Sequence, residues 1–132
     1  MTDPNRLQAF LERHEGVPVT WGKDDCSAVF APWLAENGVL VKLPVYSSKE
    51  EAHALIRKNG GLVATWDLVL YGTLPERFGM PQLGDIAVID TRLLGEVGVI
   101  CAAGGICAWR KETGGFFWLT PRSYKKVWAV SR

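Results

Sequence analysis

The most informative segment of this chain is Trp21-Gly22-Lys23-Asp24-Asp25-Cys26-Ser27-Ala28-Val29-Phe30. It reads as a tight turn that leads into a helix, with Cys26 as the first helical residue. Asp24 and Asp25 are good N-cap residues, because a carboxylate accepts hydrogen bonds from the unpaired N–H groups of a first helical turn. Apolar residues then recur at helical spacing as far as Leu34, so this helix is predicted to pack on a core.

Cys26 has two interpretations. A thiol at a helix N-terminus lies in a favourable field, which lowers its pKa from about 8.5 into the range of roughly 3.5–7.5 and makes a nucleophile. The alternative is a small apolar residue, buried at the start of a core helix. The stretch by itself leaves both interpretations open.

The composition sets outer limits on the function. The chain has 132 residues and a net charge of +1, which suits a single domain over 1–132 and argues against a general nucleic-acid binder. No apolar run reaches the roughly 20 residues of a membrane span, so no membrane span is expected. The N-terminus lacks the apolar segment of a signal peptide, so we expect a protein that stays in a reducing cytoplasm unless it leaves within a larger particle.

The three cysteines, Cys26, Cys101 and Cys107, fit free thiols better than a disulfide framework. Cys101 and Cys107 face each other if the hairpin between them has a three-residue loop, and they are interpreted as small core residues. None of the spacings matches a zinc site, and neither Gly104-Gly105 nor Gly114-Gly115 precedes a helix as a phosphate loop requires. We therefore expect no metal and no cofactor.

The first half of the chain is predicted to be helical. The Cys26 helix should run to about Asn37, with Pro32 kinking it or shortening its regular part. Three further helices are predicted, two of them from residues that commonly begin a helix. They are a first helix capped by Thr2 or Asp3 with Pro4 at its first position, a third that starts with the capping box Ser48-Lys49-Glu50-Glu51 and stops near Gly60, and a fourth from Leu62 to about Tyr71.

From Gly84 onward the apolar period changes to that of strands. Gly104-Gly105 and Gly114-Gly115 supply the positive φ that hairpin turns need. Helices followed by an antiparallel β-meander predict an α+β domain, with the helices packed on the sheet. The predicted strands are residues 85–90, 97–102, 106–110, 116–119 and 127–130.

Together these pieces resemble the NlpC-type cysteine peptidases, which are papain-like hydrolases of cell-wall peptides. The likeness covers roughly residues 15 to 130. It rests on the Asp25-Cys26 turn at the head of a core helix, on Gly84-Asp85 opening the first strand, and on the strand ending Val97-Gly98-Val99-Ile100. The Trp-Gly-x-x-Asp-Cys form is similar to a phage- and prophage-borne branch whose genes lie beside those of tail-tip proteins.

The resemblance implies that Cys26 stands at the position of the nucleophile. Glu96 stands where the family has its histidine base, and residues 105–108 contain nothing able to orient an imidazole. A carboxylate beside a thiol raises the thiol pKa and opposes thiolate formation. Catalysis would then require Glu96 to be buried enough to titrate near pH 7, or His14 or His53 to act as the base. We expect His14 at the edge of the first helix and His53 in solvent.

The remaining singled-out residues have structural interpretations. Asp85 should hold the turn into the first strand, and Lys125 and Lys126 with Arg122 form a solvated basic rim. Tryptophans are enriched at interface hot spots, so any that are exposed are candidate partner contacts, while those in the core are not. The candidates are Trp21, Trp66, Trp109, Trp118 and Trp128.

Three functions follow from this comparison. The first is a phage virion protein, structural or for assembly, at the tail tip or baseplate. It is built on an inactive NlpC-type fold, made in the host cytoplasm, and has other tail-tip proteins as partners. The second is an active cysteine peptidase or amidase that cleaves peptidoglycan peptides during phage DNA entry. The third is a host-encoded module that binds cell-wall peptides. A histidine ring within about 4 Å of the Cys26 sulfur would favour the second.

Overall fold

The first helix begins where its capping residues predict. The computed structural model describes residues 3–130, so the alternative cap Thr2 lies outside the described residues. Helix α1 runs Pro4–Arg13, and the Asp3 carboxylate accepts a hydrogen bond of 2.9 Å from the N–H of Asn5. Its buried face is Leu7, Phe10 and Leu11, as the apolar spacing predicts.

Helix α2 is shorter than the sequence predicts. It runs Phe30–Glu36, so the prediction that Cys26 is its first residue is wrong. The preceding residues form turns, in which the N–H groups of Phe30 and Ala31 donate to carbonyls three residues back. Pro32 has no N–H to continue an α-type ladder toward Cys26, and it lies instead in the first turn of α2, where a missing N–H is tolerated. The prediction that Pro32 shortens the regular helix is confirmed.

Helices α3 (Lys49–Asn59) and α4 (Leu62–Val69) follow the predicted order. Ser48 caps α3, since its hydroxyl accepts from the N–H of Glu51 at 3.1 Å. Glu51 returns a bond to the N–H of Ser47 rather than to that of Ser48. Gly60, with φ of 93°, ends α3. None of the helices within residues 3–130 has both the length and the apolar content of a membrane span.

The second half of the chain is one antiparallel sheet, which makes the domain α+β as predicted. The first four strands form the predicted meander, and the last returns to pair with the first, so the spatial order is β4-β3-β2-β1-β5. Residues 75–77 run along the outer side of the last strand, with Arg77 and Ala129 N–H groups bonding across. The strands are β1 Ile86–Thr91, β2 Gly95–Cys101, β3 Cys107–Arg110, β4 Phe116–Leu119 and β5 Lys126–Trp128.

The sheet separates two clusters of buried apolar side chains. The larger lies against the helices and includes Phe10, Phe30 and Trp33, with Ile86 and Ile100 from the sheet. The smaller consists of residues in alternate positions on the strands, as the two-residue period of a strand requires. Its buried members are Ala87, Ile89, Val97, Val99, Cys101, Cys107 and Val127.

The turn before β1 joins the helices to the sheet. The indole N–H of Trp33 donates to the carbonyl of Gly84 at 2.8 Å. The fully buried Asp85 accepts from the N–H groups of Gln82 and Val130 and from the Arg77 guanidinium. The prediction that Asp85 holds this turn is therefore confirmed.

Candidate functional site

Asp25 organises the turn that carries Cys26. Its carboxylate is buried and accepts hydrogen bonds from the N–H groups of Gly22 at 2.8 Å, Ser27 at 3.3 Å and Ala28 at 3.2 Å. The Tyr46 hydroxyl donates a fourth bond at 2.7 Å. Asp25 thus caps the backbone after Cys26 as predicted, although the turns here do not belong to α2.

Asp24 is not a cap for these N–H groups. Its carboxylate accepts from the N–H of Thr20 at 2.6 Å instead. Gly22 is required at its position, because a Cβ there would lie 2.1 Å from the Tyr46 carbonyl oxygen and its φ is 89°. The backbone around Cys26 is therefore fixed by side chains and contacts on both sides.

A buried arginine holds this turn to the sheet. The guanidinium of Arg110, on β3, donates to the carbonyls of Val17 at 2.7 Å and Asp24 at 3.2 Å. It donates further to the carbonyls of His14 and Gly115, and it lies 3.7 Å from the Asp24 carboxylate. Arg110 connects the segment after α1, the Cys26 turn and the β3–β4 turn.

The environment of Cys26 disfavours the thiolate. Burial, followed by the charges of Asp25 and Glu112, raises the pKa of Cys26 to about 11. At pH 7 only about one molecule in ten thousand would carry the thiolate. The low pKa expected from a helix N-terminus is not found, since Cys26 precedes the helix and has a buried carboxylate beside it.

Glu96, which the predicted NlpC-type resemblance aligns with a histidine base, is engaged in structural bonds. One carboxylate oxygen accepts from the N–H of Leu62, the first residue of α4, at 3.1 Å. The other lies 3.2 Å from the Lys125 ammonium. Gly61 offers no side chain to cap α4, and a Cβ on it would lie 2.9 Å from Glu96. Glu96, which lies on β2, therefore accepts the hydrogen bond from the first N–H group of α4 that a capping side chain would usually accept.

Cys26 and Glu96 line one cleft of about 350 Å³ between the helices and the sheet. Helix α3 contributes Lys49, His53 and Arg57 to this cleft. The Lys49 ammonium reaches across to Glu112 at 2.9 Å, where both side chains are about half exposed. The indole N–H of Trp109, another lining residue, is buried and has no hydrogen-bond partner among the described residues.

The third position of the expected catalytic set is apolar in the structure. Of residues 105–108, Cys107 and Ala108 are buried, and Cys107 contacts the Tyr124 hydroxyl. Within residues 3–130, no three His, Cys, Asp or Glu side chains come together as a metal site would require. The cleft thus combines an unactivated thiol with a glutamate engaged elsewhere.

The family of the chain is decided by sequence comparison. The model of a family described as a domain of unknown function, DUF6950, matches residues 1–130. The chain belongs to this family. A search of the curated proteins finds no match to it.

The two histidines of this DUF6950 chain lie in different environments. The His14 ring nitrogen Nδ1 is 2.8 Å from the Phe10 carbonyl, and the ring packs against Phe10 and Phe116 at the end of α1. This position matches the edge role predicted for it. His53 is exposed as predicted, but it also lines the cleft that contains Cys26. No local sequence pattern predicts this proximity to Cys26, because it depends on how α3 packs.

The tryptophans divide between core and surface. Trp66 and Trp128 are buried, so they are not available to partners. Trp21 and Trp109 line the cleft, and Trp118 on β4 is 54% exposed.

The role of Arg110 was not predicted from the sequence, since an arginine at the end of a short strand is ordinarily exposed to solvent.

Proposed function

We propose that this protein is a non-catalytic module on an NlpC-type, papain-like scaffold, and that it serves as a structural or assembly protein of a phage tail tip or baseplate. One observation carries the non-catalytic part. The thiol of Cys26 has a pKa of about 11, and the glutamate at the histidine position is bonded to Leu62 and Lys125. A thiol peptidase needs a base that removes the thiol proton near neutral pH.

The tail-tip role is supported by the resemblance of the Asp25-Cys26 turn and the Gly84-Asp85 turn to phage-borne members of that fold. An assembly protein also needs surface for its partners. Strand β4 is at the edge of the sheet, and it exposes 53% of Phe117 and 54% of Trp118. An exposed aromatic edge strand is a typical place for protein contact.

The non-catalytic part is tested by the pH dependence of Cys26 alkylation. Iodoacetamide reacts with the thiolate, so we expect native protein to be labelled at Cys26 only well above pH 8. Cys26→Ser is the control that removes this labelling, because Cys101 and Cys107 are buried. Fast labelling of Cys26 at pH 6 would overturn this part of the proposal.

The assembly part is tested on particles. Phage particles from a strain that carries the gene would be purified on a density gradient and analysed by quantitative mass spectrometry. We expect this protein at a fixed ratio to the tail-tip proteins in the particle fraction. If it remains with the soluble cell proteins and is missing from intact particles, the assembly role is wrong.

A second candidate function is an active cysteine peptidase or amidase that cleaves peptidoglycan peptides. It is favoured by a single observation, that His53 lines the same cleft as Cys26. An active enzyme of this kind would release peptide fragments from purified peptidoglycan, and both Cys26→Ser and His53→Ala would abolish the release. With the non-catalytic proposal, all three proteins leave the peptidoglycan intact.

A further inference from the structure

Two cysteines outside the cleft face each other across the sheet. Cys101 on β2 is the direct partner of Cys107 on β3. The N–H of Cys101 donates to the Asp85 carbonyl, and the Cys101 carbonyl accepts from the N–H of Gly84, at 2.7 Å each. Both backbone groups of Cys101 therefore point away from β3. The next pair toward the turn, Ala102 and Ile106, is the hydrogen-bonded one, at 2.8 Å. The cysteines therefore form a non-hydrogen-bonded pair, the kind whose Cα atoms approach to about 4.5 Å.

This geometry meets the requirements of a disulfide. A disulfide needs Cα atoms about 4.4–6.8 Å apart and Cβ atoms that point toward one another. Directly paired residues on one face of a sheet have Cβ atoms about 4.5–5.5 Å apart, at the lower end in non-hydrogen-bonded pairs, so a small local adjustment brings them within the range of a disulfide. Both side chains belong to the smaller buried cluster, so they lie on the same face of the sheet.

We propose that Cys101 and Cys107 are a covalent modification site, a dithiol that a disulfide oxidant of the glutathione type converts into a disulfide between β2 and β3. Two S–H bonds break and one S–S bond forms. The two protons and two electrons pass to the oxidant, whose own S–S bond is reduced to two thiols. Neither cysteine lines the cleft that contains Cys26, and the proposal holds whether or not Cys26 reacts.

The surroundings decide when this reaction takes place. Cys101 is 1% exposed and Cys107 is 0% exposed, and the Tyr124 hydroxyl lies 3.5 Å from the Cys107 sulfur. Because both cysteines are buried, an oxidant reaches the pair only during folding or when the domain opens locally. Cys26 lines the cleft and has no cysteine beside it, so it serves as the internal control.

Folding and oxidation are linked thermodynamically. A bond that closes the short loop between residues 101 and 107 restricts the unfolded chain, and it favours the folded state by a factor on the order of ten to a hundred. By the same cycle, the folded state favours formation of the bond by that factor. The equilibrium constant for oxidation should therefore be about 10- to 100-fold larger in native protein than in unfolded protein.

The test measures that constant directly on the full chain. Protein is equilibrated in mixtures of reduced and oxidised glutathione, both in buffer and in about 8 M urea, a concentration that unfolds small domains. Equilibrium is approached from the reduced and from the oxidised side, free thiols are blocked with N-ethylmaleimide, and the products are identified by peptide mass spectrometry. We expect the Cys101–Cys107 disulfide in native protein, with Cys26 blocked as a free thiol.

Matched variants identify the pair. Cys26→Ser should retain the same oxidation constant, and Cys107→Ala should form no intrachain bond in native protein. The proposal is overturned if the oxidation constants in buffer and in urea are equal, or if the main native disulfide contains Cys26. Because the constant is measured on the unaltered chain, the result does not depend on any variant folding.

Discussion

Asp25 couples the shape of the Cys26 turn to the chemistry of the thiol. It accepts four hydrogen bonds, and its charge is the second cause, after burial, of the raised pKa of Cys26. Asp25 therefore both stabilises the turn and favours the protonated form of the Cys26 thiol. In a papain-like enzyme the same turn would have to be paired with a positive group near the sulfur.

Replacement of Asp25 by asparagine should lower the pKa of Cys26. The amide keeps the size of the side chain and removes the negative charge, so the thiolate is less disfavoured. The midpoint of Cys26 alkylation should move to lower pH than the wild-type value of about 11. Glu96→Gln is the matched control, since its carboxylate is held by Leu62 and Lys125, and it should leave the midpoint in place. An unchanged midpoint in Asp25→Asn would show that the charge of Asp25 does not contribute to the raised pKa of Cys26.

Single residues were predictable where their role is local. Asp3 and Ser48 cap helices through neighbouring N–H groups, so their pattern is visible in the sequence. Arg110 and Glu96, in contrast, bind partners that are distant in the chain. Arg110 binds Val17, 93 positions away, and Glu96 binds Leu62, 34 positions away. No local pattern reports a bond of that kind, so their roles required the structure.

Helix α4 depends on a residue from another element. Gly61 stands at its N-cap without a side chain, and Glu96 on β2 takes over as acceptor for Leu62. This bond also explains why a glutamate occupies a strand beside the cleft. The helix and the strand are thereby joined by two residues that line the cleft.

Glu96→Ala should destabilise the domain by about 1–2 kcal/mol, the usual cost of a lost N-terminal acceptor. Urea unfolding followed by tryptophan fluorescence measures this change. Lys125→Ala is the control, since it removes only a partly exposed ion pair and should cost less than about 1 kcal/mol. Equal losses in the two variants would mean that the ion pair, rather than the bond to α4, stabilises the structure.

The elements themselves were mostly predictable, with errors at their ends. Within residues 3–130, the four helices and five strands have the predicted type and order, because apolar spacing together with cap and turn residues indicates them. The start of α2 was wrong since the spacing of Cys26, Val29 and Phe30 is also satisfied by successive turns. A period identifies the buried face, but it does not separate a turn from the first turn of a helix.

At the scale of the whole molecule, the return of β5 to β1 was not predicted. A meander places each strand beside the previous one, whereas residues 120–125 carry the chain back across the sheet before β5 pairs with β1. Strand order depends on which edge offers free backbone groups and buries the apolar side chains. A β5 of three residues carries too little pattern to specify that choice.

The stability of the whole domain should respond to alkaline pH through Cys26. Folding raises its pKa from 9.0 to about 11, so between those values the folded state retains a proton that the unfolded state releases. The contribution of Cys26 to the free energy of unfolding is fully present below pH 9 and is lost as the pH rises through 11. Wild type should lose about 2 kcal/mol more than Cys26→Ser over this window, as measured by urea unfolding. Parallel curves for the two proteins would contradict the raised pKa.

The four carbonyls bound by Arg110 have a consequence for synthesis on the ribosome. Arg110 follows Asp24 by 86 positions, which at about 5–20 residues per second amounts to roughly 4–17 s of translation. Until Arg110 has emerged, the carbonyls of His14, Val17 and Asp24 lack the guanidinium that binds them in the finished domain. The Cys26 turn is therefore completed late in synthesis. A nascent chain that ends before Arg110 lacks the hydrogen bonds that hold this turn to the sheet.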